Sequence, residues 1–186
     1  MRKVIVFILV SLDGFFEGPN HEIDWHNVDS GFNDFAINQL NEIGTLLFGR
    51  VTYTLMASYW PTAAARSDDP VVAEKMNTLP KIVFSRTLKN VEWQNTRQVK
   101  EGYVHEIAML KRESGKDLFI FGSSDLTVTL IKEGLIDEYR IMVNPVVLGE
   151  GKHLFQGLEN RLSLKLMKTK VFTSGNVLLY YEPVRK

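Results

Sequence analysis

The sequence contains no cysteine among its 186 residues. Disulfides, thiolate metal sites and thiol nucleophiles are therefore excluded, and any redox chemistry must rest on a bound cofactor. Neither positive nor negative charge is in excess, because 22 lysines and arginines balance 22 aspartates and glutamates. Without a basic patch or a like-charged tail, we expect no nucleic-acid partner.

Long apolar runs are absent as well. The run near the N-terminus, VIVFILV, stops after seven residues at Ser11. It is too short to cross a bilayer, and no small-residue cleavage site of a signal peptide follows it. Its β-branched residues favour a buried strand. We therefore expect a cytoplasmic protein that makes no contact with a membrane.

What the sequence does contain is enough apolar material for one core. Hydrophobic residues make up 45% of the chain, and no linker, internal repeat or low-complexity segment divides it. A chain of this length is within the usual range for one domain. We predict a single domain over residues 1–186.

Strand and helix signals alternate along most of the chain. The predicted strands cover residues 3–10, 45–48, 81–84, 91–99, 118–121 and 136–143, and the predicted helices lie near 30–42, 50–58, 71–77, 104–110 and 123–133. Alternating leucines before the turn at Thr173–Asn176, and alternating apolar residues after it, indicate an antiparallel hairpin. This order predicts an α/β sandwich of three layers, with a mostly parallel central sheet, helices on both faces and a C-terminal antiparallel hairpin.

The segment LLFGRVTY holds the first candidate binding residues. Ligands of open α/β sheets bind beyond the carboxyl ends of the strands. Gly49 lets the backbone turn sharply out of the strand, and the helix that follows offers free N–H groups. Arg50 adds a cation and Thr52 a hydroxyl, so the three residues could hold a phosphate. The alternative is a plain tight turn beside a solvated arginine.

Two further strand ends have similar chemistry. In IVFSRTL, Ser85 and Arg86 suit a phosphate monoester such as the one on the adenosine ribose of NADPH, although many such pairs are only surface residues. In LFIFGSSDL, Gly122, Ser123 and Ser124 permit close approach of a pyrophosphate to a helix start, although either serine could serve only as the N-cap. The chain has neither GxGxxG nor GxxxxGK[ST], which argues against a Rossmann dinucleotide site or a phosphate-loop NTPase.

Five segments in this order resemble the dihydrofolate-reductase-like family, which includes the reductase domain of riboflavin biosynthesis. They are VSLDGFFEG, LLFGRVTY, IVFSRTL, LFIFGSSDL and LIDEYRIMVNPVVLGEGKHLF. The likeness spans nearly the whole chain, and the last segment is most similar to the riboflavin-type branch. The resemblance implies a dihydrofolate-reductase-like sandwich, an NADPH-dependent oxidoreductase activity on a small-molecule substrate, and a homodimer.

The resemblance also implies roles for the three strand ends. Gly49, Arg50 and Thr52 would approach the NADPH phosphates. The second segment, Ser85 with Arg86, would approach the adenosine end of the cofactor. The third segment, Gly122 with Ser123 and Ser124, would approach the pyrophosphate.

A hydride donor that reduces an imine or ring carbonyl needs a proton source nearby. The candidate acids in the N-terminal part of the chain are Asp13, Glu17, Asp24 and Asp34. The resemblance places Asp34 near the acid that folate reductases carry on their first helix, and we predict Asp34 and Asp13 as catalytic. The alternatives are a turn-stabilising role for Asp13 and a helix-dipole role for Asp34.

Aromatic residues provide candidates for the substrate pocket. Trp25 follows the first loop and Trp60 precedes Pro61, and we predict both as substrate-binding, with packing over the core as the alternative. The histidines have no partner spacing, so we expect no metal site.

The substrate-facing positions differ from both known patterns. Ser123 stands where folate reductases have a second glycine, and Phe121 stands where riboflavin-type reductases have a glutamate. The approach to the IVFSR strand, Thr78–Lys81, lacks the arginine that clamps folate. The favoured function is hydride transfer from NADPH to a small heterocycle or imine. The alternatives are the 5-amino-6-(5-phosphoribosylamino)uracil reductase step itself, a dihydrofolate reductase, or an NADP-binding module without turnover.

The riboflavin-pathway step would need a second phosphate-binding site, for the phosphate of its substrate. Weak candidates for it are Lys81, Arg66 and Lys152.

Overall fold

A computed structural model describes residues 1–184. The strands are β1 Val4–Val10, β2 Phe15–Glu17, β3 Ile43–Gly49, β4 Lys81–Phe84, β5 Thr96–Val99, β6 Asp117–Phe121, β7 Glu138–Val143, β8 Lys152–His153, β9 Leu164–Val171 and β10 Val177–Pro183. The helices are α1 Ser30–Glu42, α2 Arg50–Tyr59, α3 Ala63–Asp68, α4 Pro70–Thr78, α5 Tyr103–Arg112 and α6 Ser124–Lys132.

The central sheet has eight strands in the order β5-β4-β3-β6-β1-β7-β10-β9. The strands from β5 to β7 in this order are mutually parallel, and the hairpin of β9 and β10 joins β7 in antiparallel fashion. The predicted mostly parallel sheet with a C-terminal antiparallel hairpin is confirmed. A second sheet, not predicted from the sequence, pairs β2 with β8.

Alternating side chains of the central strands face two separate cores. Val4 and Val6 of β1 pack with residues of α5 and α6 on one face of the sheet. Ile5, on the other side of the same strand, packs with residues of α1, α2 and α4. The predicted three layers are therefore present, since each face of the sheet is covered by helices.

Several predicted boundaries are wrong. The segment between the predicted helices near 50–58 and 71–77 contains a further helix, α3, whose N-cap Thr62 accepts a hydrogen bond from the backbone of Ala65. The predicted strand over 91–99 begins only at Thr96. Trp93 instead turns into the core, where its indole donates to Asn77 at 2.7 Å. Among residues 1–184, no helix is both long and apolar enough to span a membrane.

Candidate active site

The three predicted strand ends lie side by side at one edge of the sheet. Gly49 at the end of β3 is in register with Phe84 at the end of β4, and Leu47 of β3 is in register with Ile120 of β6. Because these strands are parallel, their carboxyl ends meet at the same edge. A cleft of about 280 Å³ opens there, and its walls include Arg50, Thr52, Phe84, Ser123 and Ser124.

Three helices begin at this cleft without a capping side chain. They are α2, α5 and α6, whose N-cap residues Gly49, Gly102 and Ser123 make no side-chain capping hydrogen bond within residues 1–184. The other three helices, α1, α3 and α4, are each capped by the side chain of their N-cap residue. Uncapped N–H groups and the positive ends of helix dipoles favour anions. This wall of the cleft therefore suits the phosphates of a dinucleotide.

A pair of hydrogen bonds joins two of the strand ends. The backbone N–H of Gly49 donates to Ser123 Oγ at 3.0 Å, and the backbone N–H of Ser123 donates to Thr52 Oγ1 at 3.1 Å. Ser123 and Gly122 both have left-handed backbone conformations, with φ of +52° and +64°. The Ser123 hydroxyl thus positions the start of α2 rather than capping α6.

Two cations border the cleft. Arg50 is exposed at the start of α2. Lys152 comes from β8 and makes a 3.3 Å ion pair with Asp125. Lys152 was proposed from the sequence only for a substrate phosphate, and no local pattern indicates that β8 folds back to this cleft.

Ser85 and Arg86, which the resemblance assigns to the adenosine end of NADPH, lie next to the cleft and are not part of its wall. Ser85 is buried, and its hydroxyl accepts from the backbone of Thr87 and Leu88 at 3.2 and 3.0 Å. Arg86 is exposed beside it. Phe84, the residue before this pair, does line the cleft. Ser85 and Arg86 therefore lie at the same edge of the sheet, just beyond the wall of the cleft.

A second cavity of about 510 Å³ lies between the loop over 18–29, α1, α2 and α3. Its walls are mainly apolar, and they include Phe32, Leu55, Met56, Trp60 and Phe121. Trp60 lines this cavity, and its indole N–H contacts Met56 Sδ at 3.2 Å; its role in substrate binding stays a prediction.

Trp25 does not line either cavity. Its indole N–H donates to the carbonyl of Glu22 at 3.2 Å, and its ring meets the neighbouring His26 edge-on. His26 faces the second cavity instead. Burial lowers the pKa of His26 to about 4, so the ring is neutral near pH 7. Among residues 1–184 its Nε2 has no hydrogen-bond partner.

The two predicted catalytic acids are not brought to the cavities. Asp34 is exposed on α1, where its neighbour Asn33 faces the second cavity. Asp13 accepts from Ser11 Oγ at 2.6 Å and from the backbone of Gly149 at 2.8 Å, and these bonds lower its pKa to about 2. Asp13 therefore ties the loop after β1 to the loop after β7.

Glu17 is the acid that borders both cavities, together with Phe16 and Thr52. Its side chain is only 13% exposed, and its carboxylate lies 3.0 Å from His21 Nδ1. The pairing of β2 with β8 holds it there, and a Cβ at Gly151 would lie 2.3 Å from the Glu17 carbonyl oxygen. From the sequence, Glu17 was one of four acids with no local feature to single it out.

Metal-ligating side chains do not gather in the part of the chain that the structure describes. No group of three or more histidines, aspartates or glutamates there is placed to hold an ion. The chemistry available at the two cavities is that of helix N-termini, two cations, apolar walls and the carboxyl groups of Glu17, Asp68, Asp69 and Asp125.

Comparison with known proteins places this arrangement in a family. The sequence profile of the RibD C-terminal domain matches residues 2–178. The chain is 38% identical over 186 residues to the uncharacterized protein YyaP of Bacillus subtilis, covering 97% of this chain and 94% of that protein. It is 32% identical to the uncharacterized protein YwjB of the same organism, covering 97% of each.

Solved structures show the same architecture. A protein from Shewanella sp. PV-4 assigned to riboflavin biosynthesis superposes with a TM-score of 0.75 at 28% identity, over 98% of this chain and 99% of that one. The deaminase/5-amino-6-(5-phosphoribosylamino)uracil reductase of Thermotoga maritima superposes with a TM-score of 0.71 at 14% identity, over 98% of this chain and 57% of that one. The dihydrofolate-reductase-like fold expected from the sequence motifs is confirmed, and the chain belongs to the RibD C-terminal domain family.

Proposed function

We propose that the protein is an NADPH-dependent reductase that transfers a hydride to a small heterocyclic or imine substrate. The observation that carries this proposal is the junction of the two cavities, where Phe16, Glu17 and Thr52 border both. A cofactor in the anion-binding cleft and a ring in the apolar cavity would meet at these residues. Proximity of the two reactants is the main requirement for hydride transfer.

The residues of the cleft fit a dinucleotide phosphate. The uncapped starts of α2, α5 and α6, with Arg50 and Lys152, would hold the pyrophosphate. Ser85 and Arg86, further along the same edge, would hold the phosphate on the adenosine ribose. NADPH would supply the hydride when bound.

Glu17 is the proton source in this proposal. Its carboxyl group lies at the junction, and its partner His21 is 71% exposed, so a proton can be replaced from solvent through the 3.0 Å contact. Phe16 and the apolar walls of the second cavity exclude water from the reacting ring. Thr52 Oγ1 is held by the Ser123 N–H, which fixes its position at the same junction.

The cofactor assignment is tested by calorimetric titration of NADPH and NADH. We expect micromolar NADPH binding that Arg50→Ala and Arg86→Ala each weaken roughly tenfold or more, because each would lose a charge-assisted phosphate contact. Arg66→Ala is the matched control, since Arg66 is an exposed arginine of α3 outside both cavity walls. Absence of NADPH binding, or equal losses in all three variants, would contradict the assignment.

The proton source is tested by Glu17→Gln beside Asp34→Asn. NADPH oxidation is followed with a panel of pteridine, pyrimidine and quinone rings. Loss of a positioned general acid typically lowers kcat by about 10²- to 10⁴-fold. We expect that loss in Glu17→Gln and wild-type turnover in Asp34→Asn. The reverse pattern would restore the assignment made from the sequence.

The homodimer expected from the resemblance, and the cytoplasmic location, remain predictions. Sedimentation velocity tests the first, and a monomer at micromolar concentration would contradict it.

A further inference from the structure

We infer that the substrate of the second cavity is a flat ring without a phosphate group, either neutral or cationic. This inference rests on the proposed function and specifies its substrate class. It follows from the distribution of charge between the two cavities and from the positions of the chain's other cations.

Among residues 1–184, the acidic side chains of the second cavity wall are not balanced by any lysine or arginine. The wall contains Glu17, Asp68 and Asp69, and no lysine or arginine of residues 1–184 contributes to it. His26, the remaining titratable base of the wall, is neutral near pH 7 because burial lowers its pKa to about 4. A phosphate monoester, which carries close to two negative charges, would be repelled by the carboxylates of Asp68 and Asp69 and would find no lysine or arginine in the described part of this wall.

The cations suited to an anion lie on the other side of the junction. Arg50 and Lys152 border the first cleft, together with three helix N-termini. The first cleft also contains Glu17, and Asp125 that pairs with Lys152, but of the two cavities in the described part of the chain it alone has cations and helix N-termini that can bind an anion. Two phosphorylated ligands side by side would not fit this arrangement, whereas a dinucleotide next to an unphosphorylated ring would.

Two of the cations considered for a substrate phosphate are not available to the cavity. Lys81 is buried, and its Nζ donates to the carbonyls of Met76, Asn77 and Leu79 at 2.9, 3.1 and 2.7 Å. Arg66 is exposed on α3 and lies outside the cavity wall. The third candidate, Lys152, borders the other cleft.

The apolar part of the wall favours a planar aromatic ring. Phe32, Trp60 and Phe121 contribute aromatic faces, and Met56 adds a polarizable sulfur. Asn33 and Gln39 supply amide groups that can orient ring nitrogens or carbonyls. The reductase activity for which the Thermotoga maritima protein is named concerns a phosphoribosyl compound. The present chain lacks the cations that such a group would need at this place.

The test compares riboflavin with flavin mononucleotide, which share a ring and differ by one phosphate. Binding is measured by fluorescence titration of the 186-residue chain saturated with NADP⁺, so that no turnover occurs. We expect riboflavin to bind at least tenfold more tightly. Equal affinities, tighter binding of the mononucleotide, or binding of neither flavin would each overturn the inference.

Charge reversal at the cavity mouth tests the physical cause. Asp68 is exposed, and its carboxylate accepts from Tyr59 Oη at 3.0 Å. We expect Asp68→Lys to reduce the preference for riboflavin roughly tenfold or more, and Asp68→Asn to reduce it less. Glu74→Lys is the matched control, because Glu74 is an exposed acid of α4 outside the cavity wall. If Asp68→Lys leaves the ratio unchanged, or Glu74→Lys changes it as much, the inference is overturned.

These outcomes are distinct from failure of the proposed function. Calorimetry with NADPH alone reports on the cofactor cleft, and the flavin pair reports on the second cavity. Loss of NADPH binding would remove the reductase proposal whatever the flavins show. A protein that binds NADPH but prefers the mononucleotide would keep the reductase proposal and lose the inference about its substrate.

Discussion

Replacement of Ser123 separates backbone strain from hydrogen bonding at the candidate site. Its φ of +52° is a conformation that a non-glycine residue adopts at an energetic cost of about 1–2 kcal/mol. Its Oγ also accepts a hydrogen bond from the backbone N–H of Gly49 at 3.0 Å. We therefore predict that Ser123→Gly and Ser123→Ala differ in stability, although both remove the hydroxyl.

The expected changes in the free energy of unfolding follow from the backbone strain at Ser123 and from the hydrogen bond that its Oγ accepts. Ser123→Ala keeps the strain and loses the acceptor of a partly buried N–H, so we expect a loss of about 1–2 kcal/mol in the free energy of unfolding. Ser123→Gly loses the same bond but relieves the strain, so its net change should lie within about 1 kcal/mol of wild type. For a chain of this size, about 1 kcal/mol corresponds to a Tm shift of about 2–4 °C.

The assay is urea denaturation with parallel thermal scans. Ser58 of α2 provides the control, because it has an ordinary helical conformation and its Oγ donates to the Leu55 carbonyl at 2.7 Å. At position 58 the order of the two variants should be reversed, with Ser58→Ala more stable than Ser58→Gly by roughly 0.5–1 kcal/mol. The reasoning is refuted if glycine is no better than alanine at position 123.

Two further predictions concern stability. Burial lowers the folded-state pKa of His26 to about 4, so the unfolded chain binds more protons between pH 4 and pH 6.5, and stability should fall by up to about 3 kcal/mol as the pH decreases through that window. Urea curves at several pH values should show a shallower decline in His26→Gln, and parallel curves would contradict this cause. Arg140 donates to Glu138 at 2.7 Å and to Glu42 at 2.8 Å, so Arg140→Met should lower the free energy of unfolding by roughly 2–3 kcal/mol. The double variant Arg140→Met/Glu138→Gln should recover part of this loss in the free energy of unfolding. If Arg140→Met alone has the Tm of the wild type, the ion pairs of Arg140 contribute nothing to stability.

Much of the architecture could be predicted because its signals are local. The β-branched run of β1, the helical spacing of α1 and the alternation in β9 and β10 each depend on neighbouring residues. The three strand ends with glycine and small polar residues were also visible in the chain. Parallel pairing then requires those ends to share one edge of the sheet, which is where the structure places them.

The sheet of β2 and β8 had no comparable signal. These strands have three and two residues, and their pairing joins segments that are far apart in the chain. Strands this short carry no readable periodicity, so only the folded chain shows that Lys152 reaches the first cleft and that Glu17 lies at the junction of the two cavities.

The sequence by itself therefore determined the layered fold, the family and the edge of the sheet where ligands would bind. The tertiary structure decided which acid borders both cavities. Successive residues of a helix point about 100° apart, so Asn33 faces the cavity while Asp34 next to it faces solvent. Which face of α1 turns toward the sheet depends on packing across the core, and no residue on α1 alone carries that information.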